Sequence, residues 1–364
     1  MGSLSPMRVQ RVLLAALTLG AVAFAAVPTS PASATTVGTG PQPAFLTGTG
    51  NGTAPHVQIY TANGGAISGF FAHANNTGAR VAAGDLDGDL EPELITAEGP
   101  GAPSHVVVRK MNGTVVGSFS PYGGFPGGVN VAAGDVDGDT KAELITAADS
   151  GGGPHVIVWD MDTPGNFVQR YGWFAYDAGF KGGVRIAVAD VTGSTKADVV
   201  TAPGAGGGPH VRVWDLGSGA AVEHAGWFAY GPSFTGGVSV SAGELDGTRA
   251  VVTGAGPGGG PHVRVFSTSG SVKKEFYAYA ANFTGGVNVM LSTAQGGDLG
   301  HIVTAPASWG GPHIRALTSS GGLLFEFMAY GGHPINGVTL GAVPQLGVQN
   351  NTNQSGGSNS SFGG

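Results

Sequence analysis

Two nine-residue stretches carry carboxylates at a spacing suited to holding a cation: Asp85-Leu-Asp87-Gly-Asp89-Leu-Glu91-Pro-Glu93 and Asp135-Val-Asp137-Gly-Asp139-Thr-Lys141-Ala-Glu143. In each, aspartates at alternate positions (Asp85, Asp87, Asp89; Asp135, Asp137, Asp139), a glycine for a tight bend and a ninth-position glutamate (Glu93, Glu143) place hard oxygens around one point. Ca²⁺ suits such a set because it accepts many oxygens in loose geometry, whereas Mg²⁺ keeps several of its waters. The pattern is shorter than an EF-hand loop, with the glycine earlier, and fits inside a β-hairpin. Asp-Gly pairs also form turns without any metal; two full copies at one place in a repeat make Ca²⁺ the expected occupant. The pattern then decays. Asp190-Val-Thr192-Gly-Ser194-Thr-Lys-Ala-Asp198 keeps Asp190, Asp198 and two hydroxyls, and is expected to bind weakly or not at all. Glu244-Leu-Asp246-Gly-Thr248-Arg249 puts a cation where an anion belongs, and neither Thr293 to His301 nor Val343-Pro-Gln keeps the motif.

Whatever positions these turns must recur with them. Gly-Gly-Gly-Pro-His-Val appears before His155, His210 and His262, with looser copies around His56, His105 and His313, at spacings of 49 to 55 residues. A fixed period of that length marks a repeat architecture in which one supersecondary unit cannot bury its apolar face alone. The unit from Gly183 reads as four short strands: Gly183 to Ala189, Ala197 to Ala202, Pro209 to Trp214 and Glu223 to Tyr230. The runs alternate with period two, are divided by polar or glycine turns, and leave no room for a helix. Four antiparallel strands per repeat describe a propeller blade. The segment Ala44-Phe-Leu-Thr-Gly48 matches a second strand and Gly337-Val-Thr-Leu-Gly-Ala342 a first strand. The expected fold is therefore all-β: a six-bladed β-propeller of four-stranded blades over residues 44–345, closed by pairing of the C-terminal strand with the N-terminal strands. Closure removes free sheet edges.

The run Gly-Val-x-Val-Ala-Ala-Gly-Asp-x-Asp-Gly-Asp-x-x-x-Glu-Leu-Ile-Thr-Ala resembles the FG-GAP repeat and its VCBS relatives, which build the propeller of integrin α chains and of many bacterial secreted proteins. The likeness extends over residues 44–345 and is specific in the two intact turns. It implies Ca²⁺ in those turns, with the seventh position, here Glu91 and Lys141, contributing a backbone carbonyl. Such repeats serve adhesion modules, sugar-binding lectins and, with added catalytic residues, some lyases and dehydratases. The resemblance does not choose among these.

Strand direction places the Gly-Pro-His turns on the face opposite the acidic turns. His56, His105, His155, His210, His262 and His313 then form a six-fold ring. The ring offers either imidazoles for a ligand or metal, or one hydrogen bond per blade to a neighbouring loop carbonyl. Strict repetition favours the structural role, and the ring is too wide for one ion. The fourth-strand aromatics Phe70-Phe71, Phe119, Trp173-Phe174, Trp227-Phe228, Phe276-Tyr277 and Phe327 read as core between blades. Tyr176, Tyr230 and Tyr279, which end those strands, are candidates for stacking on a sugar ring, with packing the alternative. His73 replaces that tyrosine in the first blade and Trp309 interrupts the sixth blade's glycine turn. These five are the candidate ligand residues. No catalytic residue is assigned, since there is no GxSxG elbow, HExxH helix or phosphate loop.

The chain opens with Arg8 and Arg11, an apolar run over 12–27 and Ala32-Ser33-Ala34, the layout of a cleaved bacterial secretory signal over residues 1–34. A short leader (35–43) and a Gly/Ser/Asn-rich tail (346–364) flank the repeats, and no later run is long enough to span a membrane. The net charge of −7 argues against nucleic-acid binding, and with no cysteine there is no disulfide or thiolate chemistry. The 68 glycines sit at fixed places in each repeat. They therefore signal turns and not disorder. The resulting expectation is a secreted, monomeric, Ca²⁺-stabilised binding module for a glycan or cell-surface protein. The alternatives are an extracellular carbohydrate lyase or hydrolase acting on the glycine-loop face, and a purely structural surface protein.

Overall fold

The structure, a computed structural model, describes residues 42–292, 300–333 and 335–344. The expected signal peptide, the leader apart from Gln42 and Pro43, the tail, and residues 293–299 of the sixth blade's first turn lie outside the described residues.

Among the described residues, short alternating runs punctuated by glycine and aspartate fold into 24 strands in six sheets of four. The first blade contains β1 (Phe45–Thr49), β2 (His56–Tyr60) and β3 (Ala66–Phe71). The second is β4 (Ala79–Gly84), β5 (Glu93–Glu98), β6 (Val106–Arg109) and β7 (Val115–Phe119). The third is β8 (Val129–Gly134), β9 (Glu143–Ala148), β10 (His155–Thr163) and β11 (Asn166–Phe174). The fourth is β12 (Val184–Ala189), β13 (Asp198–Pro203), β14 (His210–Asp215) and β15 (Val222–Phe228). The fifth is β16 (Val238–Leu245), β17 (Thr248–Ala255), β18 (His262–Phe266) and β19 (Val272–Tyr277). The sixth is β20 (Val287–Ser292), β21 (His301–Pro306), β22 (His313–Leu317) and β23 (Leu323–Met328), followed by a 3₁₀ turn at Ala329–Gly332. β24 (Val338–Ala342) completes the first blade in the order β24-β1-β2-β3. Its register pairs Phe45 with Ala342 and Thr49 with Val338, so the ring closes as the sequence predicts.

Burial falls from the axis outward. β4 and β5 are buried along their whole length, whereas β3 is almost entirely exposed. Apolar side chains of adjacent blades meet to form the core, as where Val200, Val211 and Val213 of the fourth blade pack with Val238, Val240 and Phe266 of the fifth. The glycine before each inner strand permits the close approach this needs. Gly183 has φ +78°, and a Cβ there would lie 2.6 Å from the Asp149 backbone of the preceding blade. Only glycine meets both conditions without strain.

A polar tie repeats between blades. The hydroxyl of a tyrosine ending one blade donates to the backbone carbonyl of the next blade's histidine: Tyr122 to His155 (2.9 Å), Tyr176 to His210 (2.8 Å), Tyr230 to His262 (2.9 Å) and Tyr279 to His313 (2.7 Å). Tyr330 reaches His56 in the same way (3.2 Å) across the closure. Each tyrosine also meets a buried threonine of the second strand, such as Thr253 at 3.1 Å. The hydrogen bond gives that carbonyl a donor inside the blade interface.

Candidate functional site

The two intact acidic turns are built alike. In the first, Asp85 accepts from Gly88 N (2.7 Å) and Leu90 N (2.9 Å), and Asp87 Oδ1 accepts from Asp89 N (3.2 Å). Asp89 Oδ1 accepts from Glu91 N (2.9 Å), and Glu93 Oε2 from Leu86 N (2.9 Å). In the second, Asp135 accepts from Gly138 N (2.5 Å) and Thr140 N (2.9 Å), and Asp137 from Asp139 N (3.1 Å). Asp139 accepts from Lys141 N (2.8 Å), and Glu143 Oε2 from Val136 N (2.7 Å). One oxygen each from Asp85, Asp87 and Glu93 lie within 4.8 Å of one another, as do those of Asp135, Asp137 and Glu143. Asp89, Glu91 and Asp139 sit at the exposed end of the turns.

The two glutamates are the distinctive groups. Both are buried, and Oε1 of each has no hydrogen-bond partner. Burial first, and then the neighbouring aspartates, push the Glu93 carboxyl up to about 7 and that of Glu143 up to about 8. A buried carboxylate with an orphaned oxygen beside two more carboxylates is costly unless a cation joins it. The donor set is all oxygen, which fits Ca²⁺.

Two cations from elsewhere in the chain reach the acidic turns, one at the first and one at the decayed third. Lys110, from the β6–β7 turn, places Nζ 3.3 Å from Asp87 Oδ2, 2.6 Å from Asp89 Oδ2 and 3.8 Å from Glu93 Oε1. Among the described residues, no ammonium or guanidinium pairs with the second turn. Arg249, from β17, reaches back to the third turn, donating to the Asp190 carbonyl (3.1 Å) and to Asp190 Oδ2 (3.0 Å). There the shorter Asp198 spends its oxygens on Val191 N, Thr192 N and Thr192 Oγ1. The third turn thus lacks the unpartnered ninth-position oxygen of the other two.

On the glycine face the candidates separate. Tyr176, Tyr230 and Tyr279 are not open platforms: their hydroxyls are committed to the ties between blades, and Phe180, Phe234 and Phe283 pack edge-on against their rings. Burial raises all three phenols well above the ordinary tyrosine range. The exposed rings are instead the second members of the strand-four pairs, Phe71 (66% exposed), Phe174, Phe228 and Tyr277. These were expected in the core. Each lies against its own blade's histidine at 4.8 to 5.1 Å. His56, His155, His210 and His262 thus pack against rings of their own blades, and five of the six histidines, all but His105, have tyrosine-capped carbonyls, in place of the side-chain bond to a loop carbonyl that the sequence suggested. Trp309 is 78% exposed and left-handed at φ +53°. His73 is buried beside Glu98 and His105.

A feature absent from the sequence reading lies on the axis. The second residue of the inner strand is Arg80, Asn130, Arg185, Ser239, Asn288 or Thr339 in the six blades, and all six line a cavity of about 300 Å³ at its glycine-face end. Asp149, fully buried, accepts from Arg80 (2.7 Å) and Arg185 (2.5 Å). Burial alone would raise its carboxyl; Arg185 and Arg80 hold it well below the usual carboxylate range. Arg80 also donates to Asn130 (3.2 Å) and Asn51 (2.8 Å). One side of the cavity is charged and the other carries hydroxyls and amides. The signal was visible: in Gly-Val-x-Val the x position varies while its neighbours repeat.

No family model matches the chain, and none of the curated proteins does. Solved structures do. A structural-genomics protein from Lactobacillus plantarum aligns with TM-score 0.50 at 10% identity, over 81% of this chain and 85% of that one. TolB from Acinetobacter baumannii aligns with TM-score 0.52 at 13% identity, over 83% of this chain and 67% of its own. At such identities the likeness is one of fold. Among the described residues, no helix is long and apolar enough to cross a membrane.

Proposed function

We propose that this chain is a secreted, calcium-stabilised β-propeller binding module of the FG-GAP/VCBS type that takes a glycan on its glycine face. The axial cavity carries the binding reading. Ligands settle where repeated units differ, and six equivalent positions converge there with four kinds of polar side chain. Hydroxyl and amide groups on one wall and the partly exposed Arg185 guanidinium on the other suit a hydroxylated ligand bearing an acidic group. Trp309, exposed on the same face, offers a ring for the apolar side of a sugar. Calcium would sit in the first and second acidic turns, held by Asp85, Asp87, Asp89 and Glu93 with the Glu91 carbonyl, and by Asp135, Asp137, Asp139 and Glu143 with the Lys141 carbonyl. Bound there, it supplies the positive charge that Glu143 lacks and that Glu93 has only from Lys110 at 3.8 Å.

A glycan array that includes uronic acids tests this reading. Binding is expected to depend on an acidic sugar and to be lost in Arg185→Gln while the chain stays folded, because Arg80 still pairs with Asp149, with a lowered melting temperature reporting the lost counter-charge. A ligand mapped to the acidic-turn face, or full binding by Arg185→Gln, refutes it.

A further inference from the structure

Five of the six joints between blades use the tyrosine tie, and the joint between the first and second blades does not. There the tyrosine position is His73, whose shorter ring cannot supply the same hydroxyl. The partner threonine, Thr96, instead takes a bond from Arg109 at 2.9 Å, and Arg109 also holds the Ala72 carbonyl at 2.9 Å. A second departure meets the first. Glu98 closes β5 at a position that the other blades fill with Thr49, Ala148, Pro203, Ala255 and Pro306, each facing the start of its inner strand. His105, the ring histidine of this blade, completes the group. One nitrogen of each imidazole and one Glu98 oxygen lie within 4.8 Å of one another.

Glu98 is buried, the two histidines are partly buried, and among the described residues no ammonium or guanidinium pairs with Glu98. The His73 side chain is 2% exposed, its Nε2 has no hydrogen-bond partner, and its Nδ1 stands 3.8 Å from Glu98 Oε1, beyond hydrogen-bond reach. Glu98 accepts only from the neutral Asn75 amide, at 3.0 and 3.1 Å. A buried carboxylate facing two imidazoles, with an imidazole nitrogen left without a hydrogen-bond partner, suits a cation that accepts nitrogen ligands.

We propose that His73, Glu98 and His105 bind one divalent transition-metal ion of the zinc type, with water in the remaining position. Two histidines and a glutamate form a three-ligand zinc set, and such ligands stand roughly 3.3 Å apart around a tetrahedral ion bound at about 2.0–2.2 Å. Side-chain rotations of about 1 Å at the ligand atoms close the set around the metal. Calcium is disfavoured by the two imidazoles. The site is separate from the first acidic turn, which lies at the other end of β5, about 17 Å away for a strand of this length, and from the second, which precedes β9. Its ion would join β3's exit to β5 and β6 and so replace the missing tyrosine tie.

The test uses the untagged full chain in saturating Ca²⁺, so that the acidic turns are filled. Zn²⁺ is titrated by calorimetry, and Co²⁺ is added as a visible-absorption probe. Two variants carry residues that other blades already accept at these positions, His73→Tyr and Glu98→Ala. The expected result is one equivalent of Zn²⁺ bound by the parent, with four- or five-coordinate Co²⁺ bands, and at least a tenfold weaker affinity in each variant. Melting temperatures in Zn²⁺-free buffer should stay close to the parent's. No uptake by the parent at micromolar Zn²⁺, or undiminished uptake in either variant, overturns the proposal.

Discussion

Replacing Glu143 by glutamine isolates the cost of burying a carboxylate in the second acidic turn. In the unfolded chain this group titrates near 4.5; in the metal-free folded chain burial and Asp137 push it up to about 8. Below pH 4.5 both states hold the proton and the parent has its full stability relative to Glu143→Gln. As pH rises, the unfolded chain releases the proton and the folded chain keeps it, so the parent loses ground through pH 8. The slope is about 1.4 kcal/mol per pH unit and the total is about 5 kcal/mol at most, less whatever water entering the turn recovers. Taking the difference between parent and variant cancels the histidines, whose lowered values give a slope of opposite sign. Urea unfolding followed by tryptophan fluorescence, with chelator, at intervals from pH 5 to 9 measures it. Repeating the series in Ca²⁺ adds a second readout. To ligate Ca²⁺ the Glu143 carboxyl must give up its proton, and the filled site stabilises the parent by about 2.7 kcal/mol at a hundredfold excess over Kd. The variant should lose that increment. A parent–variant difference that is flat between pH 5 and 8, or an equal calcium response in both proteins, refutes the reasoning.

Lys110→Met should raise the calcium affinity of the first turn severalfold, because the ammonium that bridges Asp87 and Asp89 no longer competes; calorimetry showing weaker or unchanged binding would contradict this. Tyr279→Phe leaves the His313 carbonyl without its donor inside the joint between the fifth and sixth blades, and should lower unfolding free energy by about 1–3 kcal/mol in urea titrations. Deleting residues 337–345 removes β24 and exposes both flanks of the closure, so cooperative unfolding should be lost, whereas truncation at Val348 should leave the melting curve in place.

The blades were legible because their signal is periodic: a strand, an Asp-Gly turn and a Gly-Pro-His turn recur at fixed distances, and the unmatched strands at the two ends of the repeat array dictate closure. The acidic turns were legible for a related reason, since their carboxylates sit within nine residues of one another in one hairpin. What was hidden comes from elsewhere in the chain. Lys110 reaches Asp87 across 23 residues and Arg249 reaches Asp190 across 59, distances at which spacing says nothing. The tyrosines were obscured by a hydrogen bond to a backbone atom of the next blade, which no side-chain pattern records. Phe71, Phe174, Phe228 and Tyr277 were misplaced although the signal was available. Adjacent residues on a strand point to opposite faces, so only one of each aromatic pair can enter the core.

The closure has a consequence for the order of assembly. Val343 N bonds to the Ala44 carbonyl, so the ring's last joint depends on contacts between the two ends of the repeat array. During synthesis the second to sixth blades can stack progressively through neighbour contacts, as open arrays do. β1 meanwhile waits with one backbone edge bare until β24 arrives. That interval is when the chain offers a strand template to other molecules, and chaperone dependence should concentrate there. Once β24 docks, fraying from either end is blocked, and six units that could have melted separately are forced to unfold together.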